Sequence, residues 1–137
     1  MSPSRAAVVR WLPFVLLVLA LGCGMARSFP RIAADKEARL RKLLEERGGR
    51  VVKFQSKMDG PQDAKITVAF TDNAWETPDG KKEDSITEQE YYYALKDGKW
   101  AFVNGGFQTG FSGPVQGNRK PYLSEEELSE IMARMPQ

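Results

Sequence analysis

Hydrophobic and polar positions alternate most regularly over residues 91–103. Tyr91, Tyr93, Leu95, Trp100 and Phe102 fall on one face of a strand pair, and Tyr92, Ala94, Lys96, Lys99, Ala101 and Val103 on the other. Successive side chains of a strand point to opposite faces. Asp97-Gly98 separates the two runs and suits a type I′ turn, whose central residues both need positive φ. That turn sets the register. It places Lys96 opposite Lys99, Leu95 opposite Trp100, Ala94 opposite Ala101, Tyr93 opposite Phe102 and Tyr92 opposite Val103. The first face is half of a core, since each such side chain contributes about 1.5–3 kcal/mol when buried.

The pattern extends in both directions. Residues 50–58 alternate Val52, Phe54, Ser56 and Met58 against Val51, Lys53, Gln55 and Lys57, which predicts a half-buried strand. Asp59-Gly60-Pro61 ends it. Residues 64–75 carry Ile66, Val68 and Phe70 against Thr67, Ala69 and Thr71, and Asp72-Asn73 marks either a bulge or the end of the strand. Pro78-Asp79-Gly80 makes a turn, and the polar stretch 81–84 leads into the central hairpin.

Helical spacing flanks these strands. Ala33, Leu40, Leu43 and Leu44 predict a helix over 32–47, supported by the i,i+4 pairs Asp35/Arg39 and Glu37/Arg41 and stopped by Gly48-Gly49. Near the other end, Ser124 and Glu127 form a capping box with Leu123 and Leu128 at the staple positions. The stripe Leu128, Ile131, Met132 and Met135 follows. Residues 105–122 hold five glycines and two prolines and read as an irregular surface loop. The fold class expected is α+β. An N-terminal helix packs on a four-stranded antiparallel meander sheet, with a short C-terminal helix. The divisions expected are a signal segment at 1–22, a tether at 23–31, the α+β domain at 32–104, the Gly-rich loop at 105–122 and the C-terminal helix at 123–137.

The N-terminus reads as an address. Arg5 and Arg10 precede sixteen uncharged residues, from Trp11 to Ala26. A basic start, an apolar run and small residues make a secretory signal, and the run is shorter than the ~20 residues that span a bilayer. Leu19-Ala20-Leu21-Gly22-Cys23 resembles the lipobox of bacterial lipoproteins. The resemblance implies a lipidated Cys23 as the mature N-terminus, with stable anchoring by more than one acyl chain. It also implies placement in the cell envelope, at the outer membrane and facing the periplasm, because Gly24 and not an acidic residue follows Cys23. An ordinary signal cleaved after Gly24-Met25-Ala26 is the alternative, and an uncleaved anchor is a third.

Removing the signal changes the charge. The chain has 20 basic and 18 acidic residues; without Arg5 and Arg10 it has 18 of each. No basic block suited to a nucleic acid is present, and none is expected as a partner. The chain has no His and one Cys, which removes Ser-His-Asp and Cys-His catalysis and the usual zinc sites. Asp72, Glu76, Asp79, Glu83 and Asp84 lack calcium-loop spacing. No metal and no cofactor is therefore expected.

The candidate contact residues are five. Tyr92 faces away from the aromatic half-core, and Glu88 and Glu90 share its parity as a solvated flank. Phe107 and Phe111 repeat an aromatic in the Gly-rich segment, as a partner-binding loop or as a strap over the sheet edge. The run Tyr91-Tyr92-Tyr93-Ala94-Leu95-Lys96-Asp97-Gly98-Lys99-Trp100, preceded by a helix and a meander, resembles small exported proteins of the NTF2-like, cystatin-like α+β group. The reading is a non-enzymatic, membrane-tethered envelope lipoprotein acting as a binding or interaction module with a protein partner. The alternative that the resemblance implies is a small-molecule binder or minor hydrolase with a pocket on the sheet.

Overall fold

The computed structural model describes residues 28–135. The signal segment 1–22, Cys23 and most of the tether lie outside these residues. Helix α1 spans Phe29–Glu46, followed by strands β1 (Val51–Met58), β2 (Asp63–Glu76), β3 (Lys82–Lys96), β4 (Lys99–Ser112) and β5 (Asn118–Pro121), and by helix α2 (Glu125–Ala133). The sheet order is β1-β2-β3-β4, antiparallel throughout, with β5 paired to β2. This is the expected α+β architecture with one further strand. Among the described residues no helix is long and apolar enough to cross a membrane.

Three local signals act as the sequence predicts. Asp97 (φ 52°) and Gly98 (φ 75°) make the turn between β3 and β4, and Lys96, Leu95, Ala94 and Tyr93 take the expected partners. Gly48 (φ 87°) ends α1, and the Gly49 amide donates back to the Leu44 carbonyl at 2.8 Å. Both halves of the Ser124–Glu127 capping box are formed.

Other boundaries move. Helix α1 begins three residues before the predicted start, with Pro30 in its first turn, where a missing N–H costs nothing. Phe29, expected in the tether, is 1% exposed and packs its ring 4.9 Å from Trp100 and 5.3 Å from Tyr93. The 105–122 segment is not an irregular loop. β4 runs on through Ser112, and β5 pairs with residues 73–76 of β2. Glycines do not prevent this because β4 carries an extra residue at three places. The register skips Val103, Gly106 and Thr109, and such bulges twist and bend an edge strand. Tyr92 consequently faces Asn104 and not Val103. Gly105 is required under Tyr91, since a Cβ there would come within 2.9 Å of the Tyr91 Cα.

A bulge also organises the other edge. The β2–β3 register shifts between Thr71 and Asn73, skipping Asp72. β1 pairs with β2 only as far as Phe70, and β5 takes the same edge from Asn73 onward. In β1 a further shift leaves Val52 49% exposed while Val51 is buried. The core lies between one sheet face and the two helices. It comprises Phe29, Ala33, Leu40, Leu44, Ile66, Val68, Phe70, Tyr91, Tyr93, Trp100, Leu128, Ile131 and Met132, with neighbours at its rim.

Candidate functional site

β3 runs without a bulge, so its even-numbered residues share the face turned away from the helices, while Tyr91 and Tyr93 are buried on the other. Cross-strand rows follow. Gln55, Thr67, Glu90 and Phe107 form one; Lys57, Lys65, Tyr92 and Asn104 a second; Lys53, Ala69, Glu88 and Gly110 a third. Four of the five predicted contact residues, Glu88, Glu90, Tyr92 and Phe107, are thereby brought together.

Their chemistry is tightly coupled. The Tyr92 hydroxyl donates to Glu90 Oε2 at 2.5 Å, and Lys65 Nζ donates to Glu90 Oε1 at 3.3 Å. The Tyr92 hydrogen bond, then that of Lys65, holds the Glu90 carboxyl below the usual carboxylate range. The same carboxylate raises Tyr92 and Lys65 above their ordinary values. Glu90 is thus ionised and Tyr92 protonated at neutral pH, the opposite of a carboxyl tuned upward for general acid work. Lys53 reaches Glu88 at 3.6 Å, and the Thr109 hydroxyl donates to Glu88 Oε1 at 3.1 Å. The Tyr92 and Phe107 rings are tilted at 57° with centroids 6.1 Å apart, and Phe107 stays 52% exposed.

Phe111 does not join them. It pairs with Thr87, which has the parity of Tyr91, so it points to the opposite side of the sheet from Phe107. It is 53% exposed, with its ring near Gly113. Neither phenylalanine is buried against the sheet edge.

A second surface was not foreseen. A cleft of about 700 Å³ opens where β5 lies on β2, with Ala74, Trp75, Tyr122 and Pro121 among its lining residues. Arg47, Lys82, Arg119 and Lys120 also line it, against one carboxylate, Glu76. Tyr122 hydrogen-bonds Asp84; burial first and that bond second push its phenol up to about 12. Arg47 is held by both carboxylate oxygens of Glu127 at 2.7 and 2.8 Å, and Arg119 reaches Asp72 at 3.3 Å. Beside the cleft Asn73 is fully buried with its side-chain amide unpaired, as is the indole N–H of Trp75. The sequence carried no sign of this arrangement. Asn118-Arg119-Lys120-Pro121 has neither alternation nor β-branched residues, and only its pairing with β2 makes it a strand. Among the described residues no group of three or more His, Cys, Asp or Glu is placed to hold a metal ion.

No protein-family model matches this chain, and neither a curated protein nor a solved structure does.

Proposed function

We propose that this chain is an exported, lipid-anchored protein of the cell envelope that works as a non-enzymatic interaction module. One observation carries the interaction reading. The helix-free sheet face presents the Tyr92–Phe107 aromatic pair, rimmed by the ion pairs Lys65–Glu90 and Lys53–Glu88. Aromatic groups at the centre and charged groups at the rim are the usual anatomy of a protein interface. Glu90 held ionised by Tyr92 and Lys65 supports binding over proton transfer at this face. The address rests on Arg5, Arg10, the apolar run and Cys23.

Two measurements test the reading. Intact-mass analysis of the membrane fraction is expected to give a diacylated or triacylated chain starting at Cys23. A mature N-terminus at Arg27 would overturn the lipid anchor. A photo-cross-linking residue in place of Phe107 in the full chain is expected to give one discrete adduct, which Tyr92→Asp abolishes without loss of fold. Equal labelling from position 107 and from the remote position 99 would overturn the assigned face.

A further inference from the structure

We infer that the cleft between β5 and the α1–β1 corner is a binding site for a phosphate-type oxyanion, at the end of β3 remote from the Tyr92–Phe107 pair. Three observations point there. First, the lining is unbalanced: Arg47, Lys82, Arg119 and Lys120 meet one acidic residue, Glu76. Second, the two arginines are already oriented, Arg47 by Glu127 and Arg119 by Asp72, whereas Lys82 and Lys120 form no ion pair among the described residues. The positive charge left over therefore belongs to two lysines on β3 and β5. Glu76 faces Lys82 across the ladder but comes within no ion-pair distance of it. Third, the register gathers these groups. Lys82 and Asn118 both pair with Glu76, and Lys120 pairs with Ala74. On this unbulged stretch alternate residues share a face, so Lys82, Asn118 and Lys120 surround the small Ala74 side chain together with Asp84, its direct partner on β3.

The carboxylates nearby do not cancel this charge. Asp84 is taken by the Tyr122 hydroxyl and lies 3.7 Å from Arg50, and Asp72 also accepts from Thr87 at 3.2 Å. A phosphate group between Lys82 and Lys120 would accept charge-assisted hydrogen bonds from both ammonium groups. Tyr122, which bonds Asp84 on this face, offers an apolar wall to whatever bears the phosphate. The cleft's volume of about 700 Å³ suits a small molecule or a lipid headgroup. Both sources share one chemistry, a phosphate oxyanion attached to a less polar body.

The test uses the purified full-length chain and its tryptophan fluorescence, with Trp75 at the cleft and Trp100 buried in the core. Pyrophosphate is titrated in one arm. In the other the chain is reconstituted into phosphatidylcholine vesicles with or without phosphatidylglycerol. A saturable response that Trp75→Phe removes is expected in at least one arm. Lys82→Gln/Lys120→Gln is expected to weaken it about tenfold or more, the loss that follows from one charge-assisted hydrogen bond. Lys99→Gln, at the far turn, is expected to leave it unchanged. A response to pyrophosphate identifies a soluble ligand class; one confined to phosphatidylglycerol vesicles identifies a lipid headgroup. No saturable response in either arm overturns the site. So does a response that Lys99→Gln weakens as much as the double variant.

Discussion

The ammonium of Lys36, on the first helix, donates to the carbonyl of Arg134 at 2.7 Å, just past the end of the second. It also donates to the Ile131 carbonyl at 3.1 Å and lies 5.6 Å from the Tyr93 ring centroid. The Tyr93 hydroxyl completes the arrangement by donating to the Met132 carbonyl at 2.7 Å. The last carbonyls of a helix have no partners within it, and here a lysine and a tyrosine supply them. α2 has only nine residues, too few to persist alone in water. Lys36 and Tyr93 therefore tie a marginal helix to the rest of the core.

Lys36→Ala is expected to cost about 2–4 kcal/mol, combining a cavity with carbonyls left unpaired. Lys36→Met keeps the side-chain volume and removes a buried charge, so it is expected to cost less. Urea unfolding of the two variants checks the order. Equal stability of Lys36→Ala and the parent chain would mean that α2 is held elsewhere.

Stability is expected to peak on the alkaline side of neutrality. Burial lowers Lys36 from 10.5 to about 8, so between those values the unfolded chain binds more protons than the folded one. Stability then rises with pH through that window. Burial raises Tyr91, Tyr93 and Tyr122 above the ordinary value of 10.0. Above it the unfolded chain loses phenolic protons first, and stability falls. Thermal melts from pH 7 to 11 should show a rise and then a fall, and Lys36→Met should lose the rise.

The acid limb should depend on the start of α2. Glu127 is held near 2, first by the Arg47 guanidinium and next by the Ser124 backbone amide, against an ordinary 4.5. Its depressed value makes a contribution that is present above 4.5 and lost as pH falls toward 2. Glu127→Gln is expected to flatten that limb in part, since Glu90 and Asp79 are also lowered. An acid melt identical to that of the parent chain would count against the Arg47–Glu127 pair.

The two faces of β3 should respond unequally to truncation. Phe29→Ala and Trp100→Ala are each expected to cost about 3–5 kcal/mol. Tyr92→Ala on the helix-free face should cost less than about 1.5 kcal/mol, since it removes one half-exposed ring and one hydrogen bond. Similar midpoint shifts for all three in guanidinium would show that the face assignment is wrong.

Much of this molecule was legible in the chain, for reasons of range. The β3–β4 turn, the end of α1 and the start of α2 each depend on residues a few positions apart: Asp97-Gly98, Gly48-Gly49, Ser124 with Glu127. Backbone sterics and capping act at that distance, so the sequence by itself determined them. The alternation of Tyr91, Tyr93 and Trp100 likewise determined which face meets the helices, because the period of a strand is two. Tertiary structure decided the rest. Nothing local distinguishes Lys36 from an exposed lysine; its partners Ile131 and Arg134 lie nearly a hundred residues away. Phe29 became a core residue only because Tyr93 and Trp100 leave room for its ring. Residues 118–121 became a strand because β1 begins opposite Phe70 and leaves the edge of β2 open from Asn73 onward. Phe107 and Phe111, alike in sequence, were sent to opposite faces by the extra residue at Thr109. The cation-lined cleft has the same origin, since it joins Arg47, just past the end of α1, to residues of β2, β3 and β5 that only long-range pairing brings together.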